Sequence, residues 1–332
     1  MSAEPPRVVA FGGGHGLAAS LAALRQVTPH VTAVVTVADD GGSSGRLRDE
    51  LDALPPGDLR MALFALAGTD AWSSTWAQLF QHRFPGSGPL GGHAVGNLVL
   101  AGLTEQLGDP VAALDLCLRL VDACGRVLPL SEAPMDIVAE VAGLEGAGLE
   151  GAGLEGAGTD CAGAAGGGAT TEVHGQVAVA TARGEVRAVR LIPPEPAACP
   201  AAVHAVADAD AVVLGPGSLF TSVLPHLLVP QMADAIRTTT ATRVLVLNLV
   251  AQAGETAGFS PQAHLEVLAR EAPWLRLDVV LADAAAVPDP SRLAGAAARL
   301  GARLELAPVS VPNEPRHDPD RLADALRPVL SA

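Results

Sequence analysis

Glycine-rich loops follow three separate apolar runs of this chain, and this repetition constrains the fold more than any other feature. Residues 12–16 follow the run 8–11, residues 39–45 follow the run 31–37, and residues 215–218 follow the run 211–214. A strand, a glycine loop and a helix in succession present backbone N–H groups and a helix N-terminus to anionic oxygens. If the three strands are parallel neighbours, the loops open at one edge of one sheet. The sequence therefore predicts a preformed nucleotide site.

Short apolar runs alternate with helical stretches along most of the chain, which predicts an α/β fold of the Rossmann-like, doubly wound type with a mainly parallel sheet. Nearly half of the 332 residues are apolar (49%), enough for a substantial core, and we expect a single domain over residues 1–332. The predicted strands are 7–11, 31–37, 127–130, 137–141, 173–180, 186–192, 211–214, 243–249 and 277–281. The predicted helices are 17–26, 59–67, 93–107, 110–123, 201–208, 229–238, 261–271 and 319–329. The strands between 127 and 192 form a small β-rich middle section.

A low-complexity insertion interrupts this middle section at residues 143–171. The pentad Gly-Leu-Glu-Gly-Ala occurs three times in succession from residue 143, and a glycine-rich stretch follows. Such a segment buries too little apolar surface to offset its ordering entropy. We expect it to be disordered, distant from the nucleotide and tolerated by the fold.

The composition excludes several classes of function. All 21 basic residues are arginine, so a Walker-A lysine and Schiff-base chemistry are ruled out. The net charge of −15 argues against nucleic acid as a partner. The four cysteines form no C-x-x-C pair, which argues against a zinc site or a disulfide framework. No uninterrupted apolar segment could span a bilayer, so we expect a cytoplasmic protein without membrane contact.

Two adjacent acids, Asp39 and Asp40, stand where the second predicted strand ends. An acid at this position holds the ribose hydroxyls of NAD in Rossmann domains. The same pair, followed by Gly-Gly-Ser-Ser-Gly, is equally suited to a hard cation or to sugar hydroxyls, or it caps the next helix. We favour a role in the site.

Several polar residues near the loops are candidates for ligand binding. Arg60 follows a Pro-Pro-Gly-Asp turn in which Asp58 is predicted to cap the helix, and a guanidinium there can hold a diphosphate. His93 and Asn97 lie one turn apart at a predicted helix start, so both can face a ligand. The third loop supplies glycines and hydroxyls for phosphate, and the segment 248–256 adds amide and carboxylate groups.

The ordered motifs GGGHGL, TAVVTVADDGGSSGRLR, LPPGDLR, GHAVGNLVLAGL, LGPGSLFTSVLPHLLV and NLVAQAGET resemble those of the YvcK family of gluconeogenesis factors. This family is related more distantly to the CofD 2-phospho-L-lactate transferases. The resemblance covers nearly the whole chain outside the insertion. It implies a Rossmann-like domain that binds nucleotide-containing ligands.

Carried onto this chain, the resemblance implies a ligand site drawn from all of these segments. Its residues are Gly13, Gly14, His15, Gly16, Asp39, Asp40, Ser43, Ser44, Gly57, Asp58, Arg60, His93, Asn97, Gly215, Gly217, Ser218, Thr221, Asn248 and Gln252. In this interpretation the glycine loops and Arg60 hold the diphosphate, while Asp39, Asp40 and Asn97 bind sugar hydroxyls.

The resemblance implies a regulatory protein linked to cell shape, cell-wall precursors and central carbon metabolism. Its expected ligand is UDP-N-acetylglucosamine or a related nucleotide diphosphate, bound without a cofactor. A protein partner in cell-wall control and self-association are both compatible with this role. The alternative is a CofD-like transferase that moves a phospholactyl-type group, with Mg²⁺ held by Asp39 and Asp40. An NAD-dependent oxidoreductase is a third interpretation, for which the sequence offers no identifiable proton donor.

Overall fold

The computed structural model describes residues 4–143, 170–252 and 254–330, which contain a seven-stranded sheet and a three-stranded sheet. The strands of the larger sheet are β1 (Val8–Gly12), β2 (Val31–Val35), β3 (Arg126–Pro129), β7 (Ala211–Leu214), β8 (Thr242–Val246), β9 (Val279–Asp283) and β10 (Arg303–Ala307). The smaller, antiparallel sheet contains β4 (Asp136–Ala142), β5 (Thr170–His174) and β6 (Glu185–Ile192). These two sheets confirm the predicted α/β class and a β-rich middle section, but the first strand predicted for that section, 127–130, belongs to the larger sheet as β3.

Helices connect and flank the strands. The helices of the N-terminal half are α1 (Gly14–Leu24), α2 (Gly42–Leu51), α3 (Pro56–Leu66), α4 (Ala71–Gln81), α5 (Val95–Leu107) and α6 (Pro110–Leu120). Those of the C-terminal half are α7 (Gln176–Thr181), α8 (Pro200–Ala207), α9 (Leu224–Leu228), α10 (Pro230–Thr238), α11 (Pro261–Glu271), α12 (Pro290–Arg299) and α13 (Pro319–Leu330). A π-helical turn, Leu219–Val223, precedes α9.

The strand order β10-β9-β8-β7-β1-β2-β3 determines where a ligand can bind. Every pair of neighbours in this sheet is parallel. The chain runs from β1 to one side through β2 and β3, and later from β7 to the other side through β8, β9 and β10. The order therefore reverses between β1 and β7, and the crevice at such a switch point is the usual ligand site of an open α/β sheet.

The central strands are buried because helices cover both faces of the sheet. All residues of β1 and of β7 are buried, which explains why these runs are continuously apolar instead of alternating. Phe11 of β1 is fully buried and meets the ring of His226 edge to face at 5.3 Å. The rigid core thereby fixes the ends of β1 and β7, from which two of the glycine loops emerge.

Two predictions about local structure are wrong. The segment 173–180 is not one strand, because β5 ends at His174 and helix α7 begins at Gln176 after Gly175, whose φ is +91°. Asp58 does not cap its helix, because α3 begins earlier at Pro56 and its N-cap is Pro55. The proline has a fixed φ that suits the first helical turn, so the helix starts before the acid.

Besides α7 and the π-helical turn, five elements were not predicted from the sequence: α2, α4, α9, α12 and β10. The helix α2 consists largely of glycine, serine and charged residues, so it lacks a clear apolar stripe. The strand β10 lies at the edge of the sheet and its side chains are mostly exposed. Weak hydrophobic patterning explains both omissions.

The predicted insertion falls almost entirely outside the described residues. Its last two residues, Thr170 and Thr171, belong to β5, so the prediction was too long at that end. Ala142 pairs with Thr170, and Val138 pairs with His174 at the other end of the same hairpin. The insertion therefore joins the hairpin at the end opposite Gly175.

Candidate functional site

The first and third glycine loops meet at the switch point of the sheet. A Cβ atom on Gly16 would lie 2.2 Å from the carbonyl oxygen of Pro216 and 3.0 Å from Cα of Gly217. Only glycine allows the two backbones to approach this closely. Ser20 of α1 adds a buried hydrogen bond of 2.9 Å from Oγ to the carbonyl oxygen of Gly215. The loops after β1 and β7 thus form one continuous surface, as the sequence predicts.

The start of α3 lies against the first loop and the second. A Cβ on Gly13 would lie 2.3 Å from Oδ2 of Asp58, so the carboxyl group packs directly on the loop backbone. The backbone N–H of Gly14 donates to Asp58. The N–H of Gly57 donates to Oγ of Ser44 at 3.0 Å, which ties α3 to the loop after β2. Residues from four separate segments therefore converge.

Asp58 is an unusual carboxyl group. Loss of hydration on burial and, to a smaller extent, the negative charge of Asp39 raise its pKa to about 7, against the opposing effects of the Gly14 hydrogen bond and Arg60. Near neutral pH, the group therefore exists in both protonation states. An acid that can donate as well as accept a hydrogen bond lies at the mouth of the first loop.

The adjacent acids Asp39 and Asp40 have different surroundings. Oδ1 of Asp39 accepts the N–H of Gly41 at 3.0 Å, and a Cβ on Gly57 would lie 2.9 Å from its Oδ2. Oδ1 of Asp40 accepts the N–H of Val177 in α7 at 2.9 Å. Asp39 therefore faces α3, whereas Asp40 holds α7. Burial raises the pKa of Asp40.

A hydrogen-bonded chain of side chains crosses from α2 to α5 and α3. Oγ of Ser43 lies 3.0 Å from Nδ1 of His93 and accepts from Nδ2 of Asn97 at 2.9 Å. Oδ1 of Asn97 in turn accepts from Nε of Arg60 at 2.8 Å. Nη1 of Arg60 also donates to Oε1 of Gln81 in α4. His93 and Asn97 both contact Oγ of Ser43, and Asn97 orients Arg60.

The guanidinium and imidazole groups of this chain are deeply placed. Arg60 is 3% exposed and His93 is 4% exposed. Burial lowers the pKa of Arg60 to about 10, with Arg83 adding to the effect. Burial also lowers the pKa of His93, helped by the charge of Arg46. Arg60 stays charged at neutral pH, whereas neutral imidazole is favoured at His93.

The third loop is held by side chains of the segment after β8. Asn248 forms two hydrogen bonds with the backbone of Gly217: its Oδ1 accepts from N at 2.9 Å, and its Nδ2 donates to O at 2.7 Å. Oε1 of Glu255 accepts from the N–H of Leu219 at 3.0 Å and from Oγ of Ser218. Ser218 also contacts Oγ1 of Thr221. These hydroxyls and amides therefore already have partners within the protein.

Thr36 is a site residue that the sequence did not single out, and Glu255 was noted only as the carboxylate of the segment 248–256. Glu255 is 2% exposed, and burial raises its pKa to about 7. Among the described residues, three buried oxygens at the site have no hydrogen-bond partner: Oε2 of Glu255, Oε1 of Gln252, and Oγ1 of Thr36, which lies just after β2 and beside Gly13. The backbone N–H of Gln252 donates to Oγ1 of Thr256 at 2.8 Å, and His15 is exposed. Glu255 follows a strand within a Gly-Glu-Thr motif, which was its only sequence signal.

Comparison with known proteins agrees with this architecture. Residues 8–303 match the family model described as 2-phospho-L-lactate transferase CofD. The chain belongs to the CofD family. Within it, the chain is 52% identical over 322 residues to the "Putative gluconeogenesis factor" of Mycobacterium tuberculosis H37Rv, covering 96% of this chain and 89% of that protein. It is 36% identical over 283 residues to the "Gluconeogenesis factor" of Listeria monocytogenes, covering 85% and 79%.

A solved member of the UPF0052 family from Bacillus halodurans has the same fold as this CofD-family chain. The two share 33% sequence identity with a TM-score of 0.81, and the match covers 97% of this chain and 99% of the other. The predicted resemblance to gluconeogenesis factors and the predicted fold class are confirmed. In the described part of the chain, no helix is long and apolar enough to cross a membrane.

Proposed function

We propose that this CofD-family chain binds a nucleotide sugar, with UDP-N-acetylglucosamine as the ligand, at the carboxyl edge of its parallel sheet. The observation that carries the proposal is the contact of Gly16 with Pro216 and Gly217 at the switch point. In this role the protein acts as a regulator linked to cell shape, cell-wall precursors and central carbon metabolism. The gluconeogenesis-factor names of its relatives support the metabolic part.

Unpartnered acceptors at this edge suit a ligand with many hydroxyl groups. Oε1 of Gln252 and Oε2 of Glu255 are buried and accept no hydrogen bond within the described residues. A buried acceptor without a donor is costly, and a sugar hydroxyl or amide N–H would satisfy it. Oδ2 of Asp39, beside Gly57, offers a further acceptor. Sugar and ribose groups supply donors of this kind.

Isothermal titration calorimetry with UDP-N-acetylglucosamine tests the proposal. In Gly16→Ala the new methyl group collides with the Pro216 carbonyl and separates the two loops. We expect binding at least about tenfold weaker than in the wild type, as overpacking of this size costs about 1–3 kcal/mol. Gly102→Ala is the matched control, because a Cβ there, on α5, meets no atom within 4 Å. Absence of measurable binding heat for the wild type would exclude the ligand.

Substitution of Asp40 tests a different property. Because its carboxylate holds the N–H of Val177, Asp40→Ala releases α7 as well as removing an acceptor. A binding defect in Asp40→Ala would therefore combine the loss of the acceptor with the release of α7. The comparison of Gly16→Ala with wild type tests directly whether binding needs the contact between the first and third glycine loops.

The alternative is a transferase that moves a phospholactyl-type group, and the description of the family model favours it. Its metal pair does not fit this structure: Asp40 faces α7 while Asp39 faces α3. Within the described residues, no group of three or more His, Cys, Asp or Glu side chains could hold a metal ion. Metal-dependent turnover of a lactyl- or phosphoenolpyruvyl-diphosphate donor would support the transferase, and binding without turnover would argue against it.

A further inference from the structure

Three arginines and a histidine gather on the α2–α5 side of the candidate site. Nη2 of Arg46 donates to the carbonyl oxygen of Gly91 at 2.7 Å, and Nη1 of Arg83 donates to that of Gly92 at 2.7 Å. His93 is the next residue after Gly92. Arg60 joins this group through the hydrogen bonds that link it, via Asn97 and Ser43, to His93. Four basic side chains are thus tied to one short stretch of backbone.

The charge of this cluster is not neutralised by direct ion pairs. Among the described residues, none of Arg46, Arg60 and Arg83 forms an ion pair with a carboxylate, and their hydrogen bonds go to neutral oxygens. In contrast, the neighbouring Arg48 pairs with Asp136 at 2.7 Å. A guanidinium has five N–H donors, so the half-buried Arg46 and the exposed Arg83 retain donors for a ligand, while the buried Arg60 adds positive charge behind them. Such concentrated positive charge is notable in a chain of net charge −15.

The acids that influence the cluster lie near two of its members, His93 and Arg60. The exposed Glu50 lies near His93, and Asp39 and Asp58 lie near Arg60. The like charges of Arg46 and Arg83 act on His93, and that of Arg83 acts on Arg60. The protein therefore holds several cations close together against their mutual repulsion. A bound anion would relieve that repulsion.

The glycine loops are less suited to an anion than their sequence suggests. Carboxyl groups already accept two of their N–H groups and one directly after the third loop: Asp58 accepts from Gly14, Asp39 accepts from Gly41, and Glu255 accepts from Leu219. A phosphate placed there would meet these acids at close range. The arginine cluster attracts the same group, and of its arginines only Arg60 has Asp39 and Asp58 close by.

We propose that Arg46, Arg60, Arg83 and His93 form an oxyanion subsite, which receives a phosphate or carboxylate group while the glycine loops receive neutral, hydroxyl-bearing parts of the ligand. Planar guanidinium groups bind such oxyanions through paired hydrogen bonds. The proposal rests on the proposed function for the rest of the ligand, and it changes which residues hold the anionic part.

Thermal unfolding with inorganic phosphate as the probe, against chloride at equal ionic strength, tests the subsite directly. We expect phosphate to raise Tm in the wild type, and this shift to be lost in Arg83→Gln and in Arg46→Gln. Arg276→Gln is the matched control, because Arg276 also donates only to carbonyl oxygens, those of Pro273 and Leu275. It should retain the shift. An equal phosphate shift in the wild type and both cluster variants would overturn the proposal.

Calorimetry with UDP and uridine separates this proposal from the proposed function. Arg83→Gln should weaken UDP binding about tenfold and leave uridine binding unchanged, since only UDP carries the oxyanion. The UDP affinity of Arg83→Lys should lie between those of the wild type and Arg83→Gln, because lysine keeps the charge but loses the paired hydrogen bonds. If UDP-N-acetylglucosamine and UDP bind wild type and Arg83→Gln equally, the subsite is wrong and the proposed function stands. If phosphate acts through Arg83 but neither nucleotide binds, the subsite stands and the proposed function is wrong.

Discussion

At the residue scale, buried carboxyl groups occupy positions that a sequence motif assigns to anions. Asp58 lies on the first glycine loop, and Glu255 lies at the start of the π-helical turn after the third loop. Their negative charge interacts favourably with the unpaired N–H groups of a helix start. Desolvation opposes ionisation at the same time, and it raises the pKa of each to about 7. Protonation at these two positions is therefore sensitive to pH near neutrality.

Glu255→Gln should remove the part of the pH dependence of stability that arises from the titration of Glu255. The pKa of Glu255 rises from an ordinary value of 4.5 to about 7 on folding. Between these values the unfolded chain releases the proton while the folded chain keeps it, so this group's contribution to stability falls as pH rises. The loss approaches about 3 kcal/mol above pH 7. Denaturant unfolding at pH 5 and pH 8 should therefore show a gain for Glu255→Gln, relative to wild type, only at pH 8.

The control for this comparison is Glu105→Gln at an exposed position of α5. It should follow the wild-type pH profile. A difference between wild type and Glu255→Gln that is the same at pH 5 and pH 8 would contradict the assignment of the titrating group.

At the element scale, proline and aspartate determine where several helices begin. The helix α6 starts at Pro110, and Oδ1 of Asp109 accepts from the N–H groups of Val111 at 2.8 Å and Ala112 at 3.0 Å. The proline supplies the right φ for a first turn, and the acid satisfies N–H groups that have no partner within the helix. These two residues are local signals that operate without the rest of the fold.

Asp109→Ala should destabilise the protein by about 1 kcal/mol, because the cap is lost while Pro110 remains. Asp109→Asn should cost much less, since asparagine caps helices about as well as aspartate. Urea unfolding of both variants measures the difference. Equal losses for alanine and asparagine would show that charge, and not the cap, is responsible.

The short helix α7 shows how an element is decided by its neighbours. The valine- and alanine-rich segment 173–180 has the composition of a strand. Asp40 accepts the N–H of Val177, and the backbone of Gly254 packs against Ala180. These contacts from the second loop and from the segment after β8 favour a helix that bridges the two. Local preference gives way to tertiary contacts.

At the scale of the whole molecule, the small antiparallel sheet brings α7 to the site and carries the insertion at its far end. Replacement of residues 143–169 by Asn-Gly should leave UDP-N-acetylglucosamine or phosphate binding unchanged, because Ala142 and Thr170 already face each other in register. The shorter loop should raise the free energy of unfolding by about 2 kcal/mol through a smaller closure entropy. Denaturant unfolding and calorimetry measure the two effects. Loss of binding would place the insertion in the site.

The sequence by itself determined the α/β class, most strands of the parallel sheet and the three loops at one edge. Continuous apolar runs such as β1 and β7, each followed by glycine, are local patterns that signal buried parallel strands regardless of context. Only the tertiary structure decided which charges meet there. Arg83 and Glu255 lie far from the loops in sequence. Packing alone brings Arg83 close to His93 and places the carboxyl group of Glu255 on the N–H of Leu219. Charge and hydration act through space, so no pattern along the chain could show that carboxyl groups accept N–H groups of the loops, or that Arg46, Arg60 and Arg83 form no ion pair within the described residues.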